Sequence, residues 1–291
     1  MPKLDIIVPV FDPGIPEDSG RAKKDGIWPE LRRAEANRFA YKMKVALEDL
    51  GVFGAVRVAP DSSATGDLYV VGKILESNGA EVEIEIQVVD ISEKEWFTKS
   101  FDLDVSEGFY DNARNKGLDP YDPVFEEAAI YVAERLNGFD GKELENLQML
   151  TDIRFGASFS EEVFAQYIKV EKNFWGSKNL VLASMPSSDD PMIRRVKAIR
   201  VRDQLFTDRM QSHYVEFSLK MGDSYSIWQS SSSFEVRAER AAQRKAFGQA
   251  LVGVLLVAGA VSAANNNRNN NSGTTAAAVA AGVGGITMLT E

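Results

Sequence analysis

The sequence predicts an α+β chain: a two-layer α/β domain with an antiparallel meander, then a helical region, then a carboxy-terminal apolar helical hairpin. Three patterns predict it. Val82, Ile84, Ile86 and Val88 alternate with Glu81, Glu83, Glu85 and Gln87, the two-residue period of a strand with one buried face. Phe39, Met43, Ala46, Leu47 and Leu50 recur at three- and four-residue steps, the spacing of a helix that lays one face on a sheet. Ala246–Ala264 then runs for nineteen residues without a charge.

Residues 1–140 are expected to form the α/β domain. Leu4–Phe11 is a short apolar run rich in β-branched residues and reads as a buried strand. A polar loop with Pro13, Gly14, Pro16, Gly20 and Gly26 follows, and Pro29 suits the first turn of a helix reaching Leu50. Gly51 and Gly54 end that helix, and Ala55–Ala59 is the second strand. Leu68–Glu76 and the alternating strand are joined by Asn78-Gly79, a strong hairpin-turn dipeptide. After the turn Ser92-Glu93-Lys94 comes a strand over Glu95–Val105. Asp122-Pro123 opens a helix carrying Phe125, Ala129, Val132 and Leu136 on one face, stopped by Asn137-Gly138.

Residues 141–233 lose the strand pattern and read as a helical stalk or interface region. Leu144, Leu147, Met149 and Leu150, then Val163, Phe164, Tyr167 and Ile168, have helical spacing. Met192, Val196, Ile199, Asp203, Phe206, Met210, His213 and Phe217 step by fours and threes, a seam that predicts a long helix packed on another helix. The rival is a β-hairpin turning at Gly222-Asp223, because Val215, Phe217, Leu219 and Met221 also alternate. Ser230–Ser233 reads as a loop or a helix cap. Met192, Val196, Ile199, Phe206, Met210 and Phe217, with the basic residues Arg194, Arg195 and Arg200, are the expected oligomer interface. The structural alternative for the basic run is a solvated helix face.

Residues 234–291 contain two uncharged stretches, Ala246–Ala264 and Thr274–Thr290, around the tract Asn265–Gly273. As helices they would span roughly 28 Å and 25 Å, and the first length just crosses a bilayer core. Small residues lie four apart at Ala246/Ala250, Gly259/Ala263, Ala278/Gly282 and Ala281/Gly285, which lets helices approach closely in lipid. The expected membrane hairpin comprises Ala246, Gly248, Ala250, Leu251, Gly253, Leu255, Leu256, Gly259 and Ala263 in one arm. Ala278, Gly282, Gly285, Ile286 and Leu289 belong to the other. Burial of the same residues in a protein interface stays open, since small residues serve close packing there too.

Composition narrows the chemistry. With 43 acidic against 33 basic residues the net charge of −10 argues against nucleic acid as a partner. No cysteine means no disulfide, no thiolate catalysis and no sulfur-bound zinc. The single histidine, His213, sits on the apolar seam and reads as a core or interface residue. Gly51–Gly54 and Gly66–Gly72 fit neither a phosphate-binding loop nor a dinucleotide fingerprint. No Gly-x-Ser-x-Gly elbow occurs, and no catalytic, cofactor-binding or metal-ligating residue is expected. The amino terminus lacks the basic and apolar regions of a signal peptide, which leaves a cytoplasmic protein or an exported one read without its leader.

Two resemblances refine the expectation. Ile6–Phe11, Leu47–Phe53, Val56-Arg57-Val58 and above all Gly66-Asp67-Leu68-Tyr69-Val70-Val71-Gly72 resemble the periplasmic domain shared by curli-secretion-channel lipoproteins and the TolB amino-terminal domain. Asp90 followed by Trp96 is similar to the end of the hairpin strand in those families. The resemblance covers about 135 residues by sequence pattern and implies a bacterial periplasmic protein, lipid-anchored and assembled in rings at the outer membrane. A pair of long amphipathic strands for a membrane barrel is not seen in the second half. Asn179–Val196 resembles a stretch in a group of proteobacterial lipoproteins without an assigned activity, which implies a lipidated cysteine ahead of Met1.

The expected function is therefore a non-enzymatic subunit of a ring-like, outer-membrane-associated lipoprotein complex. Its partners would be its own copies, membrane lipid and other periplasmic or outer-membrane proteins, and a closed ring would form an α-helical collar or pore. The alternative is a soluble scaffold whose apolar hairpin is buried against a partner.

Overall fold

The computed structural model describes the backbone of all residues except 1, 19, 21, 23–25, 173–177, 188 and 267–291; side chains are further undescribed at 172, 178 and 244–266. It shows a mixed five-stranded sheet with helices, and a long helix toward the carboxy terminus. By its contacts the chain divides into Met1–Ser230 and Ser231–Glu291. Residues 1–140 and nearly all of 141–233 therefore fall within one unit.

The short strand β1 (Ile6–Pro9) is wholly buried and lies between β2 (Val56–Ala59) and β3 (Leu68–Ser77), parallel to both. Helix α1 (Pro29–Asp49) carries the chain from β1 to the adjacent β2, the crossover that parallel neighbours require. Then β3, β4 (Glu81–Asp90) and β5 (Glu95–Asp104) form the predicted meander, and the strand order is β2-β1-β3-β4-β5. Gly79, at φ 81°, makes the β3–β4 turn, where the Asn78 carboxamide oxygen accepts from the Ala80 and Glu81 N–H groups. At the β4–β5 turn, Asp90 accepts from the Ser92 N–H at 2.8 Å and from Trp96 Nε1 at 2.8 Å. That frame holds Glu93 at φ 68°, a left-handed conformation unusual outside glycine.

Val82, Ile84, Ile86 and Val88 of β4 join Val70 and Ile74 of β3 in the main core, with Phe39, Met43 and Leu47 of α1. Helix α2 (Asp122–Arg135) closes this core with Phe125, Ala128 and Val132, and its Phe125 ring meets Phe39 edge-on at 5.1 Å. Gly72 admits Phe11 to the sheet, because a Cβ there would stand 2.2–2.4 Å from the Phe11 ring. On the opposite side of the meander, Glu83 is half-buried and Asp102 and Asp104 are exposed.

After α2, Asp140 and Glu143 make reciprocal side-chain-to-backbone bonds of 2.8 Å that start α3 (Gly141–Ala157). A single turn, α4 (Glu161–Phe164), follows. The structure then departs from the expected loss of strands: β6 (Ile168–Lys172) and β7 (Lys178–Leu182) pair antiparallel. Ile168 and Val170 stand opposite Leu182 and Leu180, and the Leu180 N–H donates to the Ser92 carbonyl at 2.8 Å. Ile168 and Val170 alone on β6 and the unbroken Leu180-Val181-Leu182 on β7 show no two-residue period, and Ile168 also continues the helical spacing before it.

Helix α5 (Pro191–Asn266) resolves the helix against the rival hairpin, passing straight through Gly222-Asp223. Ser230–Ser233 lies inside it and is neither a loop nor a cap. Its seam differs from expectation as well. The buried positions on α5 up to residue 230 are Ile193, Val196, Ser218, Tyr225 and Gln229, whereas Met192, Ile199, Phe206 and Phe217 are exposed. The helix packs through a partly polar row on the α/β body, not through the apolar seam on another helix. Among the described residues no helix is long and apolar enough to cross a membrane. The hairpin expected from Ala246 to Leu289 lies outside the residues with described side chains.

Candidate functional site

The inward row of α5 consists of Arg200, Gln204, Asp208, Gln211, Ser218, Tyr225 and Gln229, spaced so that all stay on one side of a 3.6-residue helix. Each bonds a partner far back in the chain. Gln211 donates to the Val58 carbonyl and accepts from the Val58 N–H, both at 2.9 Å. A single carboxamide thus occupies the backbone groups that an added strand would use on the outer edge of β2. Beside it, Asp208 accepts from Arg57 Nε at 2.5 Å.

Toward the start of α5, Arg200 is surrounded by three aspartates. Its Nη1 donates to Asp152 of α3 at 2.8 Å, and Nη2 lies 3.6 Å from Asp67 and 3.8 Å from Asp5. Asp5 immediately precedes β1 and Asp67 immediately precedes β3, so the adjacent parallel strands bring both carboxylates together. The Asp5 N–H donates to Asp67 at 2.8 Å, Thr151 Oγ1 donates to Asp67 at 2.6 Å, and Gln204 donates to Asp5 at 3.1 Å. Burial pushes the Asp67 carboxyl above its ordinary value, with Thr151, the Asp5 N–H and Arg200 offsetting part of that. Asp5, Asp67, Asp152, Arg200 and Gln204 line a cleft of about 490 Å3 together with Glu145, Lys197 and an apolar wall of Met149, Met185 and Val201. Arg200 Nε is buried there without a hydrogen-bond partner. The aspartates are all engaged by donors from the residue leading into β1 and from α3 and α5, so the cluster acts chemically as a clasp that joins these segments.

A second cluster sits under the middle of α5. Glu35 of α1 is fully buried and accepts from Ser77 Oγ at 2.6 Å and from the Tyr225 hydroxyl at 2.8 Å. Burial raises its carboxyl pKa, against the pull of Ser77, Arg32 and Tyr225. Burial likewise drives the Tyr225 hydroxyl well above the usual phenol range, so it remains a donor. Arg38 donates to Ser218 and to Asp119 at 2.9 and 2.8 Å and stands over the Tyr225 ring at 5.0 Å. Burial would raise Asp119, but Lys42 and Arg38 together hold it below its ordinary value.

The outward side of α5 carries an apolar row among exposed charged residues. Met192, Ile199 and Phe206 are 40%, 44% and 65% exposed, so the row is bare among the described residues. Met210 is half-buried, and Phe217 and His213 are exposed beside them. Of the expected interface residues, Val196 is instead packed with Ile153, Phe155 and Phe164, and Arg200 belongs to the aspartate clasp. Arg194 and Arg195 are exposed. Sequence reasoning did not single out Asp5, Asp67, Asp152, Gln204 or Gln211; an aspartate directly before each of two apolar strands was the available signal. Among the described residues no group of three or more His, Asp or Glu side chains is placed to hold a metal ion. No protein-family model, curated protein or solved structure matches the chain.

Proposed function

We propose that this chain is a non-enzymatic structural subunit that assembles with its own copies into a ring-like complex at the outer membrane. The observation that carries the reading is the bare apolar row of Met192, Ile199 and Phe206 on a helix already fixed to its own body by its other side. Large apolar side chains exposed at a seven-residue repeat along one helix support an interaction surface there. The clasped aspartates and the Glu35 cluster serve as structural anchors that set the direction in which the row faces.

The reading extends to arrangements supported by pattern and resemblance. Residues 1–140 form a two-layer domain, favoured by the packing of α1 and α2 against Val70, Val82 and Ile84. A lipid anchor ahead of Met1, implied by the resemblance of Asn179–Val196, and an apolar hairpin from Ala246 onward, supported by the uncharged stretches of the sequence, would hold the complex at the membrane. Light scattering on the full chain in mild detergent tests the assembly. The expected result is a closed multimer that Phe206→Asp with Ile199→Asp converts to single chains. A wild-type chain that is monomeric at micromolar concentration refutes the proposal.

A further inference from the structure

Beside the apolar row of α5 runs a second row with the same repeat. Arg195, Arg202 and Arg209 follow Met192, Ile199 and Phe206 by three positions each, so both rows advance seven residues at a time. Seven residues of α-helix rise about 10.5 Å and drift only about 20° around the axis, which keeps each row on one side of α5. All three arginines are exposed, and none has a carboxylate partner among the described residues.

The sheet carries the complementary charge. Glu83 on β4 stands directly opposite Glu76 on β3 and Asp102 on β5. One pair further along, Glu81 faces Asp104. Carboxylates placed opposite each other on neighbouring strands repel. Here they border a groove of about 290 Å3 on the side of the meander away from the core. Glu83, Asp102 and Asp104 have no basic partner among the described residues.

We propose that the apolar and arginine rows of α5 dock on this acidic side of the β3–β4–β5 meander in a second copy of the chain. The inference rests on the assembly reading above and supplies its contact. Dimensions agree: Met192–Arg209 is about 27 Å long, a ten-residue strand about 34 Å, and a helix some 10 Å wide covers two to three strands. Charge selects the occupant. The acidic sheet of a second copy offers closely placed carboxylates to the three arginines. Since the two surfaces lie on different parts of the chain, the contact is head-to-tail, the kind that closes into rings or runs on into filaments.

Charge reversal tests it on the full chain in mild detergent. One variant carries Arg195→Glu, Arg202→Glu and Arg209→Glu; the other carries Glu83→Lys, Asp102→Lys and Asp104→Lys. Each alone should remain monomeric, with the apparent dissociation constant raised at least about 100-fold. Mixed in equal amounts they should reassociate, because a junction between the two variants again joins opposite charges. Unchanged urea midpoints of the separate variants show that these substitutions leave the fold intact. Survival of the multimer in the sheet variant overturns the inference while leaving assembly standing. Arginine-dependent sedimentation with phosphatidylglycerol vesicles, with assembly unaffected, assigns the row to lipid and also overturns it. A monomeric wild type defeats the assembly reading itself.

Discussion

Replacing Gln211 with Leu tests whether one side chain closes the β2 edge. Leu matches Gln in helix propensity and nearly in length, so α5 itself is undisturbed. What is lost is the pair of 2.9 Å bonds to the Val58 N–H and carbonyl. Val58 is fully buried, so water does not readily replace the carboxamide. An orphaned buried polar group costs about 1–3 kcal/mol, and two on one peptide strand at the low end of that range give about 2–4 kcal/mol. At a urea dependence of about 3 kcal/mol per molar, the midpoint falls by about 1 M. Amide exchange gives the local readout: the Val58 N–H should lose protection more than its neighbours in β1. A midpoint within about 0.2 M of wild type, with Val58 still protected, would refute the claim that the carboxamide stands in for a strand.

Three further outcomes are expected. Because burial raises the Asp67 carboxyl, the folded chain takes up its proton before the unfolded chain does; this contribution is fully present below the ordinary 3.8 and is lost as pH rises through the folded value. Asp67→Asn, whose amide can donate to Thr151 while Thr151 keeps its bond to the Leu147 carbonyl, should raise the urea midpoint at pH 7 and flatten its rise on acidification. Gly72→Ala forces the Phe11 ring out of its place and should cost about 1–3 kcal/mol in thermal or urea unfolding, an effect absent if the ring simply swings aside. Trp96→Phe keeps a ring stacked on Phe139 at a former 4.4 Å but loses the bond to Asp90; about 1 kcal/mol of destabilisation is expected, and none would detach that bond from the turn.

Where the hydrophobic pattern of an element matched its burial, the sequence was informative. The strict alternation of Glu81–Val88 and the spaced apolar residues of α1 and α2 fall where expected, because one face of each is covered by the core. On α5 the apolar period does not mark the side that packs on the body. Its apolar seam is the exposed side, and much of the buried side is made of Gln204, Gln211, Ser218 and Gln229. Those residues find partners 110 to 199 positions away, and no local period announces a hydrogen bond of that span. The aspartate clasp was hidden for a related reason, since Asp5, Asp67 and Asp152 meet only through strand pairing and the docking of α3. The β6–β7 pair is hidden because Ile168 and Val170 on one strand and the unbroken Leu180-Val181-Leu182 on the other do not distinguish a two-residue period from a helical one.

The closure of β2 by Gln211 also orders events in time during synthesis. Val58 leaves the ribosome 153 residues before the side chain that completes it. At about 5–20 residues per second, that is about 8–30 s in which β1, β2 and the meander can form while one edge stands bare. Bare edges recruit strands from other chains. Two features of β2 shorten its reach as a template: it has only four residues, and one of them is Arg57, a charge awaiting Asp208. The nascent body is thus built to wait, with a short, positively charged edge that discourages a neighbour until its own helix arrives.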